Sequence, residues 1–221
     1  MTHKRSGRGT CPEGHVFNLR IAEPAYALVF ERGLQRLVDG DERDAIVDAY
    51  TAMDMYMPTV PVRARYDQDS KLTHSDISTL RQQLRVATSD ANKALGAALA
   101  VASAVSGQAP PKFNDKLSAL RNRAVHAGEY PTPKEAEWGI TEVERIVTSI
   151  DDLLTLAAPN RNPPFRLAAQ IADFPVHDHG SDGHLTIGLS AVLSGVSEPR
   201  EKATERIARY REGDLRGLRF Y

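Results

Sequence analysis

The sequence predicts a mainly α-helical protein, an antiparallel up-and-down helical bundle with a small C-terminal extension. Three observations predict it. Apolar residues recur at helical spacing through successive long stretches between Ala22 and Leu154. The breaks between these stretches are short and carry Gly or Pro, so consecutive helices must lie side by side. The chain has 221 residues, 41% of them hydrophobic, which is enough apolar material for one sizeable core.

The elements follow in order. Residues Met1 to Gly14 are rich in Lys, Arg, Gly and Thr without apolar periodicity, and read as a mobile arm. From Ala22 to Val38, Ala25, Leu28, Val29, Leu34, Leu37 and Val38 recur at helical spacing, and Gly40 stops the pattern. Asp41 is the expected N-cap of a second helix, which runs through Ala45, Ile46, Ala49, Met53 and Tyr56 to a break at Pro58 and Pro61. The first two helices are expected to form an antiparallel pair. Asp67 to Thr73 reads as a polar linker, after which Ser75 can cap a helix of about 30 residues that continues through the Ala-rich stretch to Val105. A fourth helix is expected from near Pro111 to Gly128, and a fifth from Pro133 through Ile140, Val143, Ile146, Ile150 and Leu154. Beyond the turn-rich Asn160 to Pro164, the segments Asp173–His179 and His184–Leu189 read as a β-hairpin, followed by a charged helix from Glu198 to about Arg211. The expected organisation is a flexible arm at 1–15, a bundle at 16–158 and an extension at 159–221.

Composition narrows the function classes. No stretch approaches the roughly 20 apolar residues of a membrane-spanning helix, and Met1 to Gly9 is basic and polar. A single cysteine, Cys11, permits no intramolecular disulfide and no zinc site built from cysteines, so a cytoplasmic protein is expected. The net charge of −1 does not describe a general polyanion binder, so any nucleic-acid contact must be local. Charge is unevenly spread. Glu31 to Asp54 holds seven acids against three arginines, a net of −4, whereas Arg200 to Arg219 holds seven bases against four acids, a net of +3. The basic tail reads first as a solvated helix face and second as a phosphate-steering patch.

Arg121-Asn122-Arg123-Ala124-Val125-His126 lies on the fourth helix. There Phe113, Leu117, Leu120 and Ala124 form the core stripe, while Asn122 and His126 share the opposite side with Asp115 and Ser118. The polar members of the motif thus face a ligand or a second subunit. Arg121 and His126 are five residues apart, about 140° around an ideal helix, so side-chain length or helix fraying must help them reach one atom. A two-fold dimer would place two arginines and two histidines in one cleft and supply both a general base and a general acid.

This motif, on a late helix of a bundle and followed by Ala127-Gly128-Glu129-Tyr130-Pro131-Thr132, resembles the Arg-x4-6-His motif of the HEPN superfamily. The resemblance covers roughly Phe17 to Leu156. It implies a metal-independent endoribonuclease with no cofactor, dimeric through this helix, in a toxin–antitoxin or antiphage setting and with an antitoxin or defence complex as further partner. Arg121 and His126 would be the catalytic pair and Asn122 the supporting polar residue. The chemistry suits these residue types. RNA carries its own 2′-hydroxyl nucleophile, so the enzyme must deprotonate it, stabilise the crowded phosphorane and protonate the leaving 5′-oxygen. Arginine forks onto phosphate oxygens with a permanent charge, and histidine exchanges protons near neutrality. The products would be a 2′,3′-cyclic phosphate and a 5′-hydroxyl.

Plainer readings stand beside this one. Arg121 could pair with a nearby acid while His126 caps a helix, and a bundle that keeps the motif could be a non-catalytic adaptor for RNA, a nucleotide or a protein. His177, His179 and His184 with Asp178 and Asp182 invite a metal, although strand alternation brings two such rings together regardless, and no metal site is assigned. Trp138, Tyr50 and Tyr56 sit on amphipathic helices and read as core or interface aromatics. Arg216 to Tyr221, with Leu218, Phe220 and Tyr221 between basic residues, could dock on its own bundle, the first-ranked reading, on RNA or on an antitoxin.

Overall fold

Side-chain caps from Asp41, Asn114 and Thr132 mark the starts of three of the helices. The structure, a computed structural model, describes residues 4–10, 16–22, 25–68, 91–157 and 202–213, with a few helical residues between 76 and 83. It is mainly helical, as the periodicity predicts. Helix α1 (Ala25–Val38) turns through Gly40 into α2 (Glu42–Tyr56), where the Asp41 carboxylate accepts from the Asp44 N–H. The two helices share a long contact, and Asp48, buried between them, accepts 2.7 and 2.6 Å hydrogen bonds from Arg32. Arg36 adds a second cation at 3.3 Å, so two of the three arginines of this region answer one buried carboxylate.

Two departures from the sequence reading are instructive. Pro61, expected to break the chain, lies in the first turn of a short helix, α3 (Thr59–Gln68), where its missing N–H has no acceptor to lose. Residues read as an unstructured arm form β1 (Lys4–Thr10), which pairs antiparallel with β2 (Val16–Ala22), Lys4 opposite Ala22 and Thr10 opposite Val16. The alternation Phe17, Leu19, Ile21 against Asn18 and Arg20 is the period-2 signal for that strand. The part of the long third helix before α4 (Ala91–Ser106) lies for the most part outside the described residues. In α4, Ala94, Ala98 and Ala102 recur every four residues and are buried, which lets this helix pack closely on α3 and α6 (Pro133–Ala157).

Helix α6 is the spine of the core. It starts with a reciprocal cap, in which Thr132 N–H donates to Glu135 and the Glu135 N–H donates back to the Thr132 hydroxyl, with Pro133 at the first helical position. Its face of Ala136, Ile140, Val143, Ile146, Ile150 and Leu154 is buried against α1, α2, α4 and α5 (Asp115–Asn122). Gly139 allows the closest approach, since a Cβ there would lie 2.4 Å from Ile46 Cδ1 and 3.0 Å from Leu120 Cδ2. Among the described residues, no helix is long and apolar enough to cross a membrane.

The last described helix, α7 (Ala203–Arg211), packs on α1 and α6 through Ala203, Ile207 and Tyr210. Arg206 pairs with Glu31 at 3.1 Å and Arg211 with Glu137 at 3.0 Å, so these tail cations answer acids of the helical body rather than forming a wholly solvated face. Tyr210 donates to Glu31 at 2.7 Å, and burial beside that carboxylate pushes its hydroxyl up to about 12. The expected hairpin at 173–189, its histidines and the segment Arg216–Tyr221 lie outside the described residues.

Candidate active site at the end of α5

Asn114 caps α5 by accepting from the Lys116 N–H at 3.1 Å, and Leu117 and Leu120 anchor the helix in the core. Regular α-helix ends at Asn122. The next turn, Arg123–Ala127, is π-helical, and Gly128 closes it in the left-handed conformation at φ +67°. The N–H groups of Gly128 and Glu129 both end on the Arg123 carbonyl. The Ala124 carbonyl loses the Gly128 N–H that an α-helix would give it. Arg43, reaching across from α2, supplies the replacement through Nε at 2.8 Å.

The wider turn decides the geometry of the motif. A π-turn accommodates one extra residue, so a side chain five positions on takes roughly the place that one four positions on holds in an α-helix. Arg121 Nη1 accordingly lies 3.1 Å from His126 Nε2, and the same Nη1 donates to Asn122 Oδ1 at 3.1 Å. The three residues singled out by sequence thus meet at one guanidinium nitrogen. A guanidinium can only donate, so His126 Nε2 is the acceptor in this contact. Asn122 and His126 are exposed and Arg121 is half-buried, which leaves the cluster open to a ligand.

Neighbours fix this arrangement. The Arg121 guanidinium carbon lies 5.6 Å from the Tyr50 ring centroid, a cation–π contact with a buried aromatic of α2. Tyr50 is held in turn by a 3.2 Å hydrogen bond between its hydroxyl and that of Ser118 on α5. Tyr50 and Tyr56 are both core residues, as expected of them, although Tyr50 also serves the site through its ring face.

The second arginine of the motif has a different task. Arg123 donates to Glu135 at 2.6 Å and pairs with Glu129 at 3.5 Å, tying the π-turn to the cap of α6. The Thr132 N–H, Arg123 and the Thr132 hydroxyl together hold the Glu135 carboxyl down at about 2. Arg43 is the residue that sequence reasoning missed. It stands 81 positions before Ala124, in a stretch dominated by acids and shared with Arg32 and Arg36, and no local signal singles it out.

A shallow recess at the start of α5, lined by Lys112, Phe113, Asn114, Asp115, Lys116, Glu142 and Arg145, does not include the motif. Its arginine is already engaged by Glu142 and by the Lys112 carbonyl. Among the described residues, no group of three or more His, Cys, Asp and Glu side chains could hold a metal ion. Comparisons with protein-family models, with curated proteins and with solved structures find no match for this chain.

Proposed function

We propose that the chain is a HEPN-type endoribonuclease that cleaves RNA by 2′-hydroxyl transesterification without a metal, acting as a homodimer through the α5 face. The observation that carries this reading is the 3.1 Å contact between Arg121 and His126 across the π-turn, with Asn122 on the same nitrogen. It joins a phosphate-binding cation to a proton acceptor on an exposed surface.

In the proposed reaction, an incoming phosphate draws the Arg121 guanidinium onto its non-bridging oxygens, which exposes the lone pair of His126 Nε2. That nitrogen takes the proton of the 2′-hydroxyl as its oxygen bonds to phosphorus. The bond from phosphorus to the 5′-oxygen breaks, and the leaving oxygen takes a proton from the His126 of a second copy, which carries one from the previous turnover. Asn122 holds Arg121 beside the imidazole between turnovers. The bundle topology and a toxin–antitoxin or antiphage role come with this reading and rest on the resemblance of the motif.

Mapping the ends of RNA fragments made by the purified protein tests it. The proposal requires 2′,3′-cyclic phosphate and 5′-hydroxyl ends. Products with 3′-hydroxyl ends would refute it, and a protein that binds RNA but never cuts would favour the adaptor reading.

A further inference from the structure

Tyr130 is 76% exposed, the most exposed large apolar side chain among the described residues, yet its segment is tied down on every side. Before it, the Gly128 and Glu129 N–H groups converge on the Arg123 carbonyl. After it, the Thr132–Glu135 cap starts α6. Beside it, the Arg43 guanidinium carbon lies 5.9 Å from the ring centroid. Arg43 is also the donor to Ala124 O within the π-turn, so one side chain braces both the catalytic turn and the ring.

Cation–π support and a pinned loop reduce the conformational freedom that a side chain would otherwise lose on meeting a ligand. An exposed aromatic face among arginines is a recogniser of unpaired nucleobases, because every base has a π-face and its phosphates need cations close by. The ring stands four positions after His126, and Arg43, Arg121 and Arg123 all belong to this corner of the molecule.

We infer that Tyr130 is the nucleobase platform of the site: a base of single-stranded RNA stacks on its exposed face while the adjoining backbone phosphate lies at Arg121 and His126. The inference rests on the ribonuclease reading and adds the substrate class. A duplex keeps its bases in their own stack and offers none to the ring, so single-stranded RNA is preferred.

The test uses the full chain with His126→Ala, which permits binding without turnover, and measures fluorescence anisotropy of a short labelled single-stranded RNA and of its duplex. Tyr130→Ala, Tyr130→Phe and Tyr130→Trp are compared in that background, with folding checked by circular dichroism. Tyr130→Ala is expected to weaken single-strand binding roughly tenfold, while Phe and Trp keep it within about twofold and the duplex binds at least about tenfold more weakly. Unchanged binding in Tyr130→Ala overturns the platform and leaves the ribonuclease reading intact. A loss of self-association in Tyr130→Ala, with binding per dimer unchanged, overturns it in favour of a subunit contact. Absence of both RNA binding here and RNA cleavage by the unaltered protein overturns the inference together with the reading beneath it.

Discussion

Arg43 donates to the carbonyl of Ala124 across 81 positions of sequence, and through that one hydrogen bond α2 supports the turn that brings Arg121 to His126. Removing the donor leaves a buried carbonyl without its partner. Arg43→Ala is expected to cost about 1–2 kcal/mol of stability and, on the proposed function, to lower RNA cleavage at least about tenfold, with Arg121 and His126 still present. Urea unfolding and single-turnover kinetics read the two effects separately.

Arg121→Lys tests whether the site needs a fork or merely a charge. Lysine keeps the charge but loses the planar geometry that reaches His126, Asn122 and the Tyr50 face together. The expected loss in kcat/KM is about 100-fold, with thermal stability little changed.

Gly128 holds the left-handed conformation that ends the π-turn, with open space where a Cβ would stand. Gly128→Ala therefore meets backbone strain and no steric contact, and is expected to destabilise the protein by about 1 kcal/mol. A thermal melt measures it.

Glu135 gives a pH signature. Its carboxyl is held at about 2 by the Thr132 N–H, by Arg123 and by the Thr132 hydroxyl, against about 4.3 in an unfolded chain. A lowered folded value contributes stability above the unfolded value and loses it as pH falls through the folded one. The melting temperature of the wild type should exceed that of Glu135→Gln at neutral pH. The gap should narrow from about pH 4 downward and close near pH 2. A gap that stays constant over that range would separate Glu135 from the stabilisation.

The docking of α7 makes the tail part of the folded body. Ile207 is 1% exposed, and Ile207→Ala is expected to cost about 2–5 kcal/mol in urea unfolding, the range of a buried large-to-small change. A solvated helix would give a change near zero.

Much of the helical framework was legible because its signals are local. Amphipathic stripes mark α1, α2 and α6, and Asp41 and Pro133 mark two of the starts. Helix α3 was concealed by Pro61, whose usual effect of breaking a helix vanishes in a first turn. The β1–β2 pairing needed the alternation in residues 17–21 to be weighed against the polar stretch before it. In the motif, the residues were legible and their meeting was not. An α-helical reading leaves Arg121 and His126 about 140° apart, and the bond from Arg43 that accompanies the π-turn comes from another helix. Local periodicity cannot report a bond made across the fold.

The most direct measurement is cleavage of a labelled RNA pool in EDTA by the wild type, Arg121→Ala and His126→Ala, each confirmed folded and in the same oligomeric state. The account predicts cutting by the wild type to cyclic-phosphate ends and a loss of at least about 100-fold in either variant. Cutting that survives both substitutions, or a wild type that cuts only when Mg²⁺ is restored, would contradict it.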